Sequence, residues 1–311
     1  MTFYLHVGAS KTASTTLQGR FFPAHPDIFF LGKEESTIKL VKRWATPEIF
    51  KIVNDIDRRN LDFRLDDDTV KTALDYIRQS NNGRPIVYSF EDLCEFTGPS
   101  SFEKLARFQN VFNEFGPIRI IIGVRSQLEL LKSLYITLHR AEMFRIYGGK
   151  VNWYPTFDQY IEVNFKYCYA AVLESFRFCV LLDHYSSVLG PENVFVFAFE
   201  DFKKDAAGVL RKLCRFMEID ENSACVEETA NTRENQHQSG RKYTYLKLRW
   251  ALLRGLSINK LIPSGVRSKF WNWLDAGPKV DFTASEAVTQ RIMEYYQADN
   301  EALARKYGIR L

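Results

Sequence analysis

In Phe3-Tyr4-Leu5-His6-Val7-Gly8-Ala9-Ser10-Lys11-Thr12-Ala13-Ser14-Thr15-Thr16-Leu17, a strand, a tight turn and the start of a helix follow one another. Phe3 to Val7 is a short apolar run typical of a strand, and the helix from Ser14 onwards turns Leu17 and Phe21 inward. Between strand and helix, successive backbone N–H groups, the hydroxyl groups and one lysine can face the same anion. The stretch therefore predicts a phosphate-binding loop.

The loop departs from the nucleotide-triphosphatase pattern G-x-x-x-x-G-K-[ST], which needs a glycine directly before its lysine. Here Ser10 precedes Lys11, and Ala13 stands two positions after the lysine. An ordinary strand-to-helix turn with a surface lysine is the structural alternative until a second motif agrees.

The string Lys11 to Leu17 resembles the loop Lys-(Thr/Ser)-Gly-(Ser/Thr)-Thr-(Thr)-Leu of the sulfotransferases. In that family the loop binds the 5′-phosphosulfate end of 3′-phosphoadenosine 5′-phosphosulfate (PAPS). The resemblance implies that Lys11 is catalytic, and that the cofactor is bound here by Ser10, Lys11, Thr12, Ala13, Ser14 and Thr15. Ala13 departs from the family, which has glycine at that position.

A second motif follows the apolar run from Ile118 to Val124, which predicts a central parallel strand. Arg125 comes directly after this run, and Ser133 lies eight residues further on, in a predicted helix from Gln127 to Arg140. The spacing is close to the sulfotransferase motif strand-Arg-x7-Ser-x-Tyr, in which the arginine forks onto the 3′-phosphate and the serine adds a hydrogen bond. The resemblance therefore implies a 3′-phosphate site at Arg125 and Ser133.

The segment His25-Pro26-Asp27 resembles the one that leads to a glutamate base in heparan and protein-tyrosine sulfotransferases. That glutamate maps onto Glu34, 23 positions after Lys11, and a slip of one residue would exchange it for Glu35. The alternative is a solvated charge cluster at a helix start, where acidic side chains also favour the helix macrodipole.

Glu91 is a second candidate base, because it follows the short strand predicted at Ile86 to Ser89. Ligands of α/β proteins bind at the carboxyl ends of such strands. The cytosolic sulfotransferases carry a catalytic histidine at a comparable strand end, and this chain has none there. The base is therefore either Glu34 or Glu91. The residue types of the segment before Glu34 and its distance from Lys11 match the family pattern, which favours Glu34.

Two further basic residues, Arg241 and Lys242, lie in a polar segment that resembles the late cofactor-covering loop of the family. They are candidates for the 3′-phosphate, although the usual Arg-Lys-Gly order is absent and a solvated basic patch is the alternative. Elsewhere, Asp66 to Thr69 are expected to cap a helix, and Tyr160 to Val188 are predicted as one helix.

Length, charge and cysteine content limit the number of domains and the classes of function that the chain can have. A chain of 311 residues with 46% hydrophobic content can bury a full core, and we expect one domain over 1–311. The net charge of +4 suits an anionic cofactor or substrate without arguing for nucleic acid. The five cysteines include no C-x-x-C pair, so buried free thiols are expected.

The first strand begins almost at Met1 and no run approaches a membrane span, so we expect a cytoplasmic enzyme without stable membrane insertion. The resemblance implies an α/β fold with a mainly parallel sheet flanked by helices, PAPS as cofactor, a hydroxyl or amine acceptor on a carbohydrate or glycolipid, and no metal. A nucleoside-phosphate kinase and a non-catalytic nucleotide-binding module remain the alternatives.

Overall fold

The structure is a computed structural model that describes residues 2–9, 11–32, 46–57, 63–90, 100–138, 155–166, 172–223, 238–253, 264–280 and 282–311. In these ranges the main sheet has five strands, β1 (Phe3–His6), β2 (Phe29–Gly32), β3 (Ile86–Ser89), β4 (Ile118–Val124) and β5 (Val194–Ala198). Their order is β2-β3-β1-β4-β5, and every neighbouring pair is parallel. The predicted α/β fold with a parallel sheet is confirmed.

Helices cover both faces of this sheet. In chain order the helical segments here are α1 (Ser14–Thr16), a π-helical turn (Leu17–Phe21), α2 (Phe22–Ala24), α3 (Pro47–Asp57), α4 (Asp67–Ser80), α5 (Ser101–Phe112), α6 (Gln127–Leu138), α7 (Phe157–Lys166), α8 (Phe178–Leu189), α9 (Phe199–Lys204) and α10 (Ala206–Met217). Tyr4 faces the side covered by Leu17 and Leu210, whereas Phe3 faces Phe108 of α5. Burial on both faces explains why the strands are continuously apolar.

Further along the chain are α11 (Gly240–Leu253), α12 (Ser264–Asp275) and α13 (Glu286–Tyr307). β6 (Gln238–Ser239) and β7 (Lys279–Val280) form a short antiparallel pair. α11 and α12 lie between these two strands in the sequence. No helix in the described ranges is both long and apolar enough to cross a membrane.

The chain divides into two compact units. Unit 1 comprises Met1–Gln127, Ala171–Ala230 and Tyr296–Leu311, and unit 2 comprises Leu128–Ala170 and Asn231–Tyr295. Unit 1 holds the five-stranded sheet, and unit 2 holds α7, α11 and α12. The single domain over 1–311 stays a prediction.

Local sequence signals predicted the start of α4 correctly but did not predict the start of α8. As predicted, Asp66 caps α4, because its carboxylate accepts a hydrogen bond of 3.0 Å from the backbone N–H of Thr69. The single helix predicted from Tyr160 to Val188 is wrong, since α7 ends at Lys166 and α8 begins at Phe178. Asp299 accepts hydrogen bonds from the backbone N–H groups of Cys179 and Val180, so a side chain distant in sequence caps α8.

Two of the five cysteines lie in the described part of the chain, and both are buried free thiols as predicted. Burial raises the pKa of the Cys214 thiol to about 11. Burial likewise raises the pKa of Cys179. Neither thiol therefore carries the low pKa of a reactive cysteine.

Candidate active site

The carboxyl ends of β1 and β4 lie side by side at the middle of the sheet. The register pairs His6 with Ile121, and the backbone N–H of Val7 donates to the carbonyl of Ile121 at 2.9 Å. The predicted phosphate-binding loop leaves β1 at this point, and Arg125 follows β4. Two motifs that are more than a hundred residues apart in sequence are thereby joined at the edge where α/β sheets bind ligands.

Two residues of the loop adopt left-handed backbone conformations. Lys11 has a φ of 72° and Ala13 a φ of 68°. The carbonyl of Ala13 accepts hydrogen bonds from the backbone N–H groups of Thr16 and Leu17, at 2.9 and 3.1 Å, and so begins the helix. A side chain at positive φ is strained, which explains physically why the sulfotransferase pattern has glycine where this chain has Ala13.

We expect Ala13→Gly to stabilise the protein by about 0.5–1 kcal/mol, because relief of the left-handed strain exceeds the added entropy of the unfolded chain. Equilibrium unfolding in urea measures the change. Ala298→Gly, at an exposed position inside α13, is the matched control and should cost about 1 kcal/mol. An equal loss in both variants would contradict the left-handed conformation at Ala13.

Thr12 closes the loop on itself. Its side chain is buried, and its hydroxyl donates to the carbonyl of Ala9 at 2.5 Å. A Cβ atom on Gly123 would lie 2.9 Å from the carbonyl oxygen of Thr12 and 2.8 Å from the Phe197 ring. Glycine near the end of β4 therefore lets the loop pack directly on the strand. The hydroxyl of Thr12 stabilises the loop, and its contact with a cofactor stays a prediction.

Arg125 links the end of β4 to the loop. Its side chain is buried, and its Nη1 donates to the carbonyl of Lys11 at 3.3 Å. The guanidinium carbon lies 4.7 Å from the centre of the Phe199 ring, within cation–π distance. The backbone N–H of the next residue, Ser126, donates to the Glu200 carboxylate at 3.3 Å. A delocalised positive charge is thus held directly against the predicted phosphate-binding loop.

A buried polar network lies between the strand ends and the helical segment that follows the loop. The sequence motifs did not indicate this network. His6 Nδ1 lies 2.6 Å from the hydroxyl of Ser89, and the side-chain amide of Gln18 donates to the same hydroxyl at 2.7 Å. These contacts join the ends of β1 and β3 to the helical segment after the loop. A polar residue ending an apolar strand, as His6 and Ser89 both do, is the one sequence signal that points to them.

The loop has donors that match an anion. Ser14 is buried, and its Oγ has no hydrogen-bond partner among the described residues. Burial of a hydroxyl without a hydrogen-bond partner costs free energy, and phosphate oxygens are strong acceptors. Thr15 beside it is partly exposed. The donor set therefore fits a phosphate group such as the phosphosulfate end of PAPS, with Lys11 supplying positive charge. Ser10 lies outside the described residues.

The candidate bases Glu34, Glu35 and Glu91 also lie outside the described residues. The strands that precede them are described. β3, which ends two residues before Glu91, is the neighbour of β1, whereas β2, which ends two residues before Glu34, lies one strand further out. Adjacent strands are about 4.8 Å apart. The strand order therefore does not decide which of the two carboxylates, Glu34 or Glu91, is the base.

The histidine and aspartate of the His-Pro-Asp segment have structural contacts. His25 Nε2 lies 3.0 Å from the carbonyl of Asp220, and the backbone N–H of Asp220 donates to the Asp27 carboxylate at 3.1 Å. Asp27 in turn donates its backbone N–H to His25 Nδ1 at 3.3 Å. The segment therefore anchors the chain before β2 to the region that follows α10.

The remaining predicted residues lie in unit 2. Ser133 is buried in the second turn of α6. Arg241 places its guanidinium carbon 5.1 Å from the centre of the Trp273 ring and donates to the Trp273 carbonyl at 3.3 Å. Lys242 forms an ion pair of 2.6 Å with Asp275. The two basic residues thus have partners in α12, and their contact with a cofactor stays a prediction.

No group of three His, Cys, Asp or Glu side chains suited to a metal ion occurs in the ranges that the structure describes.

Comparison with solved structures supports the fold. The protein is similar to a sulfotransferase from Alicyclobacillus acidocaldarius, with a TM-score of 0.55 and 15% sequence identity over 99% of this chain and 96% of that one. A second similar structure is the sulfotransferase domain of the Synechococcus PCC 7002 olefin synthase, with a TM-score of 0.42 and 12% identity over 96% of this chain and 94% of that one. No protein-family model matches the sequence, and no curated protein matches it by sequence.

Proposed function

We propose that the protein is a sulfotransferase that transfers the sulfuryl group of PAPS to a hydroxyl or amine acceptor. The observation that carries the proposal is the 3.3 Å hydrogen bond from Arg125 to the carbonyl of Lys11. This hydrogen bond joins the two motifs that resemble the sulfotransferase pattern. The fold that positions them is similar to that of a sulfotransferase over nearly the whole chain. A chance match to either motif alone would not require this contact.

PAPS supplies the sulfuryl group and a stable nucleotide leaving group when it is bound. In the proposal, Lys11 binds the 5′-phosphosulfate end together with the loop residues Ser10, Thr12, Ala13, Ser14 and Thr15, through their backbone N–H groups and hydroxyls. Arg125 binds the 3′-phosphate as a fork, and Ser133 adds a hydroxyl. Arg241 and Lys242, which contact Trp273 and Asp275, are further candidates for the 3′-phosphate.

Sulfuryl transfer requires two functions from the side chains of the protein. A carboxylate, Glu34 or Glu91, takes the proton of the acceptor as its oxygen or nitrogen attacks. Lys11 stabilises the negative charge that develops on the bridging oxygen of the departing nucleotide. The buried hydrogen bond of Thr12 and the packing of Gly123 keep the loop fixed, so that this positive charge is positioned before the reaction begins.

We propose a carbohydrate or glycolipid as the acceptor. Support comes from the resemblance of the His25 to Glu34 segment to the branches of the family that use a glutamate base. An acceptor screen with purified protein and PAPS, scored by mass spectrometry for a sulfated product, tests this part separately from cofactor binding.

Adenosine 3′,5′-bisphosphate is expected to raise the Tm more than adenosine 5′-monophosphate does, because only the former presents a 3′-phosphate to Arg125. Ligand linkage makes the difference measurable by thermal shift at equal ligand concentrations. Arg125→Lys should remove most of the difference, since a point charge cannot replace the planar fork. Arg211→Lys, at an exposed position of α10, is the matched control and should leave the difference unchanged.

Equal shifts for the two nucleotides would exclude a 3′-phosphate site at Arg125. A larger shift with ATP and Mg²⁺ than with adenosine 3′,5′-bisphosphate would favour the kinase alternative. Strong binding of the bisphosphate without turnover of any acceptor would favour the non-catalytic module.

A further inference from the structure

The positive charge of the chain is concentrated in one segment of unit 2. Residues 240–280 contain nine lysines and arginines against a single acidic residue, Asp275. Because the whole chain carries only +4, the rest of the protein is net acidic. The same segment contains Trp250, Trp271 and Trp273, three of the five tryptophans. The mild overall charge therefore conceals a strongly basic, tryptophan-rich segment.

The two helices of this segment pack against each other in antiparallel orientation. Arg241 in the first turn of α11 contacts Trp273 near the end of α12. One to two turns further along α11, Tyr245 makes edge-on contacts with Phe270 and Trp271, with ring centres 5.7 Å apart in both pairs. The pairing runs in opposite directions along the two helices, which places Leu248 and Val266 toward the same end of the pair.

On each helix, a set of exposed side chains forms a stripe along one face. On α12, Val266, Lys269 and Trp273 follow the spacing i, i+3, i+7 and share one face. On α11, Arg241 and Leu248 are seven residues apart and share one face in the same way. The Arg241 to Trp273 contact joins the two stripes. Together with Lys247, these residues define the α11–α12 surface.

Apolar side chains on this surface are unusually open. Leu248 is 56% exposed, Trp273 is 55% exposed and Val266 is 49% exposed. Lys247 and Lys269 beside them are exposed as well. Aliphatic and tryptophan side chains bordered by lysines are the composition of helices that lie in the interface of an anionic bilayer. A soluble polyanion would use the lysines but would gain little from Leu248 and Val266.

We propose that the α11–α12 surface docks the protein on an anionic phospholipid membrane. The apolar side chains enter the headgroup boundary, Trp273 lies at the interface and the lysines contact lipid phosphates. Charge complementarity selects this partner, because the α11–α12 surface carries Arg241, Lys247 and Lys269, and Asp275 is the one acidic residue in the sequence of the two helices. Docking is peripheral, and it requires neither PAPS nor turnover.

Vesicle co-sedimentation of the full chain tests the proposal. Vesicles of phosphatidylcholine with about one third phosphatidylglycerol should bind the protein, vesicles of phosphatidylcholine alone should bind it at least tenfold more weakly, and added salt should weaken binding. Lys247→Gln with Lys269→Gln should lower affinity about 30-fold, since each basic residue contributes about 1 kcal/mol near such a surface. Lys203→Gln with Lys212→Gln removes two exposed lysines elsewhere and should leave affinity unchanged.

The apolar contribution has its own variant. Leu248→Ser with Val266→Ser should weaken vesicle binding about tenfold or more, because half of each side chain remains to be buried. The same pair should leave binding to dextran sulfate unchanged. Tryptophan fluorescence should shift to the blue on anionic vesicles, and Trp273→Phe should lose most of that shift. Circular dichroism confirms that each variant is folded.

Equal binding to neutral and anionic vesicles, or binding to neither, would overturn the proposal. Binding to dextran sulfate with none to vesicles would assign the surface to a soluble polyanion instead. Because the assay contains no nucleotide, its result is independent of whether the protein transfers sulfuryl groups.

Discussion

Lys11→Ala is expected to lower the turnover number of sulfuryl transfer by about 10²–10³-fold. Removal of one preorganised electrostatic donor has a cost of this size, because the donor acts on charge that develops in the transition state. Lys11 is positioned by a loop that Thr12 closes and that Arg125 holds at the end of β4. Single-turnover kinetics at saturating PAPS measure the chemical step directly.

The control for this variant is Lys71→Ala, which removes an exposed lysine from α4 and should retain wild-type turnover. Thermal unfolding of both variants separates a loss of catalysis from a loss of fold. Wild-type turnover in Lys11→Ala would mean that the loop is only structural, and it would remove Lys11 from the mechanism.

Glu34→Gln is expected to lower turnover about 10²–10⁴-fold, the usual range for loss of a general base. The amide preserves shape and hydrogen bonding but cannot take the proton of the acceptor. Affinity for adenosine 3′,5′-bisphosphate should be nearly unchanged, because the base acts in the transition state. Glu35→Gln is the matched neighbour and tests the one-residue slip in the motif.

Glu91→Gln completes the set. If Glu91 orients the acceptor, the change should act mainly through the KM for the acceptor. An active Glu34→Gln beside an inactive Glu91→Gln would reverse the assignment, in agreement with the position of β3 next to β1. Full activity in all three variants would mean that none of these carboxylates is the base.

Much of the fold follows from local pattern. The apolar run at Ile118–Val124 is the strand β4, and the aspartates before α4 cap that helix, both as predicted. Such features depend on side-chain periodicity and on hydrogen bonds within four residues, and a sequence displays both directly. The prediction of a phosphate-binding loop also came from local sequence, through Lys11 and its neighbours.

Contacts between distant segments lay beyond local pattern. Asp299 begins α8 by accepting two backbone hydrogen bonds from residues about 120 positions earlier, so the break after α7 had no local signal. His6, Gln18 and Ser89 meet beneath the loop only because β1 and β3 are neighbours in the sheet. Pairing of this kind is decided by strand order, which no single segment encodes.

The site shows both contributions. By itself the sequence determined that a lysine loop follows one strand and an arginine follows another, and that basic residues cluster at 240–280. Tertiary structure decided that β1 and β4 are adjacent, which brings Arg125 to the carbonyl of Lys11. It also decided that Arg241 and Lys242 pair with Trp273 and Asp275. The reason is physical: residue type sets what a side chain can bind, whereas only packing of distant segments sets what lies within its reach.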